Sequence, residues 1–168
     1  MTKFAVEFAS CAGVQQIKNL MREYAKRLHP DLNPGIDDGE FKSMSAAYHA
    51  ELQNRHLETH TDDIGKAHKY YYNEQNEQEI LDKVAELLAL NLNGVVIDLV
   101  GTWIWVSGET RANRTALKSA KMRYHGKRAM WYWRKAAYKT RYSDKSFSEL
   151  KSAYGCKTFE SKEDAVSV

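Results

Sequence analysis

Between Val14 and Leu28 the apolar residues Ile17, Leu20, Met21, Tyr24, Ala25 and Leu28 recur three and four apart, which predicts an amphipathic helix started at Ser10 or Gly13. The opposite face of that helix carries Lys18, Arg22, Lys26 and Arg27. Pro30 ends it, because the residue before a proline is driven out of the α region. Residues 31–39 are rich in Asp, Asn, Pro and Gly and read as a loop. Phe41, Met44, Ala47, Tyr48 and Leu52 then mark a second one-sided helix over 40–56. Two such helices joined by a loop of about ten residues predict an antiparallel hairpin. Ahead of it, residues 3–8 read as a short strand or a single turn.

Residues 57–75 are polar and without a clear period, and predict a linker in which His60 and His68, like His56 just before it, are solvated. Ile80, Leu81, Val84, Leu87 and Leu88 predict a helix from Glu77 to Leu90, with acids in its first turns to suit the helix dipole. Beyond Asn93-Gly94, strands are expected at Val95–Val100, Trp103–Val106 and Met130–Arg134, the last preceded by Met122–Tyr124 and a basic turn at Gly126–Arg128. Helices are expected from Thr110 to Ala120 and from Phe147 to Tyr154, the latter stopped by Gly155. The expected fold is therefore α+β. A helical-hairpin domain at 1–58 and a linker at 59–75 precede a small α/β domain with an antiparallel sheet at 76–159, then a frayed tail.

Composition changes this picture in one respect. The 168 residues are 43% hydrophobic and 28% charged, as in an ordinary folded protein, with no apolar run that could span a membrane and no secretion-signal pattern at the N-terminus. Cys11 and Cys156 lie far apart and outside any metal-ligand spacing, which fits two idle thiols in a reducing cytoplasm better than a disulfide. The net charge of +3, however, is unevenly spread. Residues 111–145 hold twelve Lys or Arg against the single acid Asp144, a local +11 that leaves −8 on the remainder. Such a field bears on partners more than on fold.

The basic helix runs straight into His29-Pro30-Asp31, and the loop continues Leu32-Asn33-Pro34-Gly35. The next helix carries Phe41-Lys42-Ser43-Met44 and Ala47-Tyr48, and Ile17 stands twelve residues before His29. A bare His-Pro-Asp tripeptide is a weak signal; the tripeptide with both flanking helices in register is a specific one. In this respect residues 1–58 resemble the J-domain of the DnaJ/Hsp40 co-chaperones. The resemblance implies that His29, Pro30 and Asp31, aided by Lys18, Arg22, Lys26 and Arg27, dock on a DnaK-like Hsp70 and stimulate its ATPase. The chain departs from the family in several places. The usual first helix is reduced to Phe4–Phe8, nothing after Leu52 matches the fourth helix, and Leu32 replaces a lysine. Glycine/phenylalanine-rich and cysteine-rich zinc segments are absent. The expected class is a small J-protein defined by its J-domain alone.

The second part, with Trp103-Ile-Trp-Val-Ser-Gly108 and Met130-Trp-Tyr-Trp-Arg134, is similar to a C-terminal module of small DnaJ-like proteins of bacteria and their mobile elements. That resemblance carries almost no functional information. From the residues themselves, Trp103 and Trp105 share one face of a strand, as do Trp131 and Trp133, so one pair can be core and the other a platform. Cations beside aromatic strands suit single-stranded nucleic acid, with Arg123, Lys127, Arg128, Arg134, Lys135 and Lys139 as the contacts. The other readings are that all four tryptophans are core and the charges solubilise, or that the basic stretch meets an acidic protein. No nucleophile elbow, phosphate loop or carboxylate pair is present, so no enzymatic activity, cofactor or metal is expected. The leading expectation is a cytoplasmic co-chaperone whose second domain binds the client; the rival is a nucleic-acid-binding adaptor that uses the hairpin as a scaffold.

Overall fold

The computed structural model describes residues 2–30, 32–61, 65–135, 145–154 and 156–160. The fold is α+β, a helical region followed by a mixed region built on an antiparallel sheet. The chain divides into two compact units, Met1–Ala85 and Glu86–Val168. The boundary falls inside the predicted helix rather than at the predicted linker.

In the first unit, α1 (Lys3–Ala9) is a full helix, capped by the Thr2 side chain accepting from the Ala5 amide. The four apolar positions of this segment, Phe4, Ala5, Val6 and Phe8, suit a strand or a turn by pattern alone. What decides is the i, i+4 pair Phe4 and Phe8, both buried. Helix α2 (Val14–Leu28) begins after Gly13 and ends at His29, whose extended backbone is the conformation a following proline demands. Helix α3 (Asp38–Asn54) is capped by Asp37, which accepts from the Gly39 amide at 3.0 Å. The three helices and their neighbours share one core of Phe4, Phe8, Ile17, Met21, Tyr24, Met44, Tyr48, Leu52, Tyr70 and Leu81. Phe4 and Phe8 both meet Tyr24 edge-on, and the Tyr24 hydroxyl donates to Glu7.

The 57–75 segment is not a plain linker. Leu57 takes a left-handed turn (φ 67°) and β1 (Thr59–Thr61) pairs antiparallel with β2 (Ala67–Lys69). The ladder closes with Leu57 N–H donating to Tyr70 O at 2.7 Å and Tyr70 N–H to Glu58 O at 2.9 Å. Tyr70 is thereby turned into the core. Helix α4 (Glu74–Ala89) starts three residues earlier than its apolar stripe predicts, because Asn73 accepts from the Asn76 amide.

At the start of α4 stands Glu77, 6% exposed. Its carboxylate accepts from Lys18 Nζ at 2.6 Å, Tyr48 Oη at 3.2 Å and Tyr70 Oη at 3.3 Å. Lys18 also lies 4.9 Å from the Tyr70 ring centroid. The expected solvent-facing stripe of α2 is therefore corrected: Lys18 is 11% exposed in its side chain and Arg22 5% exposed overall. A two-helix hairpin would bury one narrow arc of α2. Here α4 covers a second arc, and its carboxylate makes burial of Lys18 tolerable.

In the second unit the sheet order is β5-β6-β4-β3-β7, all neighbours antiparallel. The strands are β3 (Val95–Val100), β4 (Trp103–Gly108), β5 (Arg123–His125), β6 (Met130–Trp133) and β7 (Cys156–Glu160). Strand β7 went unpredicted, because Lys157 and Glu160 mask the alternation. Helix α5 (Arg114–Ser119) is shorter than expected, since residues 110–113 form turns. Helix α6 (Phe147–Tyr154) lies as predicted; its expected stop, Gly155, and the tail after Glu160 fall outside the described residues. One sheet face buries Ile97, Leu99, Ile104, Val106, Trp131 and Phe159. The other carries Asp98, Val100, Trp105 and Met130, with Phe147 and Leu150 of α6 packed on it.

Two predictions concern the Glu77 cluster. Glu77→Ala leaves Lys18 buried without its counter-charge and is expected to cost about 3–5 kcal/mol in urea denaturation. Lys18→Met combined with Glu77→Gln removes both charges and should recover most of that loss. The second concerns alkaline pH. Burial and the neighbouring Glu77 raise the Tyr48 and Tyr70 phenols well above their ordinary value, and burial with Glu74 raises Tyr72 to about 12. A folded pKa above the unfolded value of about 10 gives stability that is complete below pH 10 and lost as pH rises beyond it. Burial lowers the Lys18 pKa, so its contribution has the opposite sign and increases with pH up to the unfolded lysine value of about 10.4. The urea midpoint should therefore fall between about pH 10 and 12, and Tyr72→Phe should flatten the fall.

Candidate functional site

The turn after α2 is held by one backbone acceptor. The carbonyl of His29 receives the Leu32 amide at 3.0 Å, the Asn33 amide at 3.0 Å and the Asn33 side-chain amide at 3.4 Å. Asn33 Nδ2 also donates to the Lys26 carbonyl at 3.0 Å, so the loop is tied to the last turn of α2. Those helix-end carbonyls have no intrahelical donor, and Asn33 supplies one. The His29 ring stands edge-on to Phe41 of α3, with centroids 5.0 Å apart. His29 and Pro30 are half-buried, while Lys26 and Arg27 are exposed, with the Arg27 guanidinium 4.9 Å from the Tyr24 ring centroid. Asp31 lies outside the described residues. Of the seven residues assigned to this tip, the structure brings His29, Pro30, Lys26 and Arg27 together and turns Lys18 and Arg22 inward. Asn33 was absent from the expected set; its signal was an amide side chain two residues before a glycine in a helix-stop loop.

The second candidate surface lies on the sheet. Trp103 and Trp105 stack with their ring centroids 5.7 Å apart, and Tyr132 sits 5.6 Å from each. Trp105 and Trp131 are buried; Trp103 and Trp133 are half-exposed. Each expected pair is thus split, because position along the strand decides burial more than face does. Trp105 lies mid-strand under Phe147, 5.6 Å away, whereas Trp103 opens β4 and Trp133 closes β6.

Cations are placed on these rings. Arg134 lies 4.9 Å from the Trp103 centroid and Arg128 5.7 Å from that of Trp105, with Arg128 also donating to the Lys145 carbonyl. Arg123, on edge strand β5, faces Tyr132 across the ladder. Lys121, Arg123, Tyr132, Trp133 and Arg134 together line an open cavity of about 320 Å³. Lys127 is exposed in the turn beyond β5, Lys135 is half-buried after β6, and neither lines the cavity; Lys139 lies outside the described residues. Lys121 was not among the expected contacts, and the signal for it was a cation two residues before an edge strand.

Among the described residues, no three His, Cys, Asp or Glu side chains gather as a metal ion would need, and no helix is long and apolar enough to cross a membrane. His60 and His68 face each other across β1 and β2 with stacked rings 5.6 Å apart, a pair without a third ligand. Both cysteines are free and half-buried, and burial raises the pKa of each thiol. Comparison with protein-family models, curated proteins and solved structures finds no match for this chain.

The loop geometry makes a direct prediction. Asn33→Ala removes both side-chain ties and should lower stability by about 1–2 kcal/mol. It should also speed amide exchange at Leu32 and Asn33 with little change in the α1 and α3 cores, as read by hydrogen exchange.

Proposed function

We propose that this protein is a J-domain co-chaperone that engages a DnaK-like Hsp70 through the His29-Pro30-Asp31 turn. The observation that carries the reading is the His29 carbonyl hub, which presents the His29 ring and Pro30 on a tied turn between two core-packed helices. A turn already ordered before docking loses little entropy on binding. The reduced first helix, a departure from the family at the level of sequence, is present as α1 and fills the core beside α2 and α3 with Phe4 and Phe8. That is the part such a hairpin needs to stand as a unit.

On this reading the chain performs no bond chemistry itself. ATP hydrolysis belongs to the partner, and the turn acts by binding the state of the Hsp70 that hydrolyses. Lys26 and Arg27 are the cations available to guide an acidic surface, and rim charges of this kind act chiefly on the association rate. The second unit serves as the client- or target-binding part.

The deciding measurement is steady-state ATPase of a purified bacterial Hsp70 with increasing amounts of the full chain. Severalfold stimulation is expected, with at least most of it lost in His29→Gln while the urea midpoint changes little. Absence of stimulation by the wild-type chain would sink the proposal, as would full stimulation by His29→Gln.

A further inference from the structure

We infer that the cavity lined by Lys121, Arg123, Tyr132, Trp133 and Arg134 is a binding site for single-stranded nucleic acid, taking one nucleotide of the strand at a time. The inference stands apart from the co-chaperone reading, since it concerns the second unit alone.

Three features of the cavity point to this ligand. Its lining combines three cations with the Tyr132 ring, which shares a sheet face with Arg123, and includes no carboxylate; Trp133, next in the strand, pairs with Ile104 and points to the opposite face. Its volume of about 320 Å³ lies at the small end of ligand pockets, the size of a single nucleotide rather than of a folded epitope. Its cations stand in different settings. Lys121 and Arg123 are exposed, one in the left-handed turn after α5 (φ 56°) and the other on edge strand β5. Arg134 is oriented by the Trp103 ring beneath it. The Tyr132 ring offers a face on which any base can stack, and the exposed cations can follow a phosphate backbone. An acidic peptide would satisfy the cations but leave Tyr132 without a planar partner. A duplex hides its base faces inside the stack, so it too would use only the charges.

The site differs from a general basic patch in which cations it uses. Lys127 and Arg128 lie in the turn beyond β5 and do not line the cavity; Arg128 is engaged by Trp105 and the Lys145 carbonyl. Replacing them should therefore matter less than replacing Lys121 and Arg123.

The test is fluorescence anisotropy of the full chain with a labelled oligothymidylate of about 12 nucleotides, from about 50 to 200 mM salt. Binding is expected at low salt, with a log–log salt slope of roughly −0.7 to −1.4, as the one or two phosphates flanking a single nucleotide imply. Lys121→Gln with Arg123→Gln should weaken it at least tenfold and flatten the slope. Lys127→Gln should weaken it less than threefold. All three positions are exposed, so folding is expected to survive, and unchanged circular dichroism checks it. Binding should quench the fluorescence of Trp103, which lies under Arg134 and 5.6 Å from Tyr132, and Trp103→Phe should reduce the quench while retaining affinity. The inference is overturned if no binding occurs at low salt. It is equally overturned if a duplex of the same length or an oligoglutamate of equal charge binds as tightly, or if Lys127→Gln proves as damaging as the Lys121/Arg123 pair.

Discussion

A carboxylate taken out of water must be met by donors on every side, and in the first unit that demand organises the packing. Glu77 belongs to α4, Lys18 to α2, Tyr48 to α3, and Tyr70 to the chain leaving the β1–β2 hairpin. Four segments converge on one side-chain group. A hydrophobic set could hold the same segments together at equal or greater stability. What the charged cluster adds is register. If α4 slid by one turn, Glu77 and Lys18 would both be left buried without a partner, at a cost no nearby apolar contact offsets. The cluster also explains why residues 59–85 go with the first unit: Tyr70, Glu77 and Leu81 are part of its interior.

Asp98 plays the corresponding part in the second unit. It lies 2% exposed in the middle of β3, and Lys151 of α6 donates to it at 2.9 Å, with Thr158 and Cys156 of β7 alongside. One carboxylate thus attaches both α6 and β7 to β3. With α6 held there, Phe147 covers Trp105, while Trp103 and Tyr132 stay half-open toward the β5 edge. The placement of the cations follows. Arg128 and Arg134 settle on indole rings, and Arg123 occupies the edge strand, where a positive charge also discourages addition of a further strand.

Much of this was legible in the chain where a single physical signal dominated. The apolar stripes of α2, α3 and α4 and the proline stop at Pro30 each report a local cause, and the structure follows them to within a few residues. The misses share a different cause. Lys18 and Arg22 read as solvent-facing because a helical wheel shows one face, and the burial of Lys18 depends on Glu77, 59 residues later. Strands β1 and β2 read as linker, and β7 as an unassigned end of the second domain, because their order comes from pairing and not from alternation. The splitting of the tryptophan pairs depends on where α6 lands. In the candidate sites, the His29 turn was visible through its own residues, whereas Asn33 and Lys121 emerge only once the loop and the cavity exist in three dimensions.

The sequence departure at Leu32 illustrates how geometry and charge separate at the tip. The turn is tied through the Leu32 and Asn33 backbone amides and the Asn33 side chain, and these ties do not depend on which side chain stands at position 32. A lysine there would add charge and keep those hydrogen bonds. Its absence, together with the inward turn of Lys18 and Arg22, leaves Lys26 and Arg27 as the exposed cations of the original stripe. Long-range steering scales with such exposed charge and fades with salt, while a preformed turn acts at contact and does not. If this turn docks on a partner, complementarity to its shape must therefore contribute more, and electrostatic attraction less, than a helix bearing four exposed cations would have supplied.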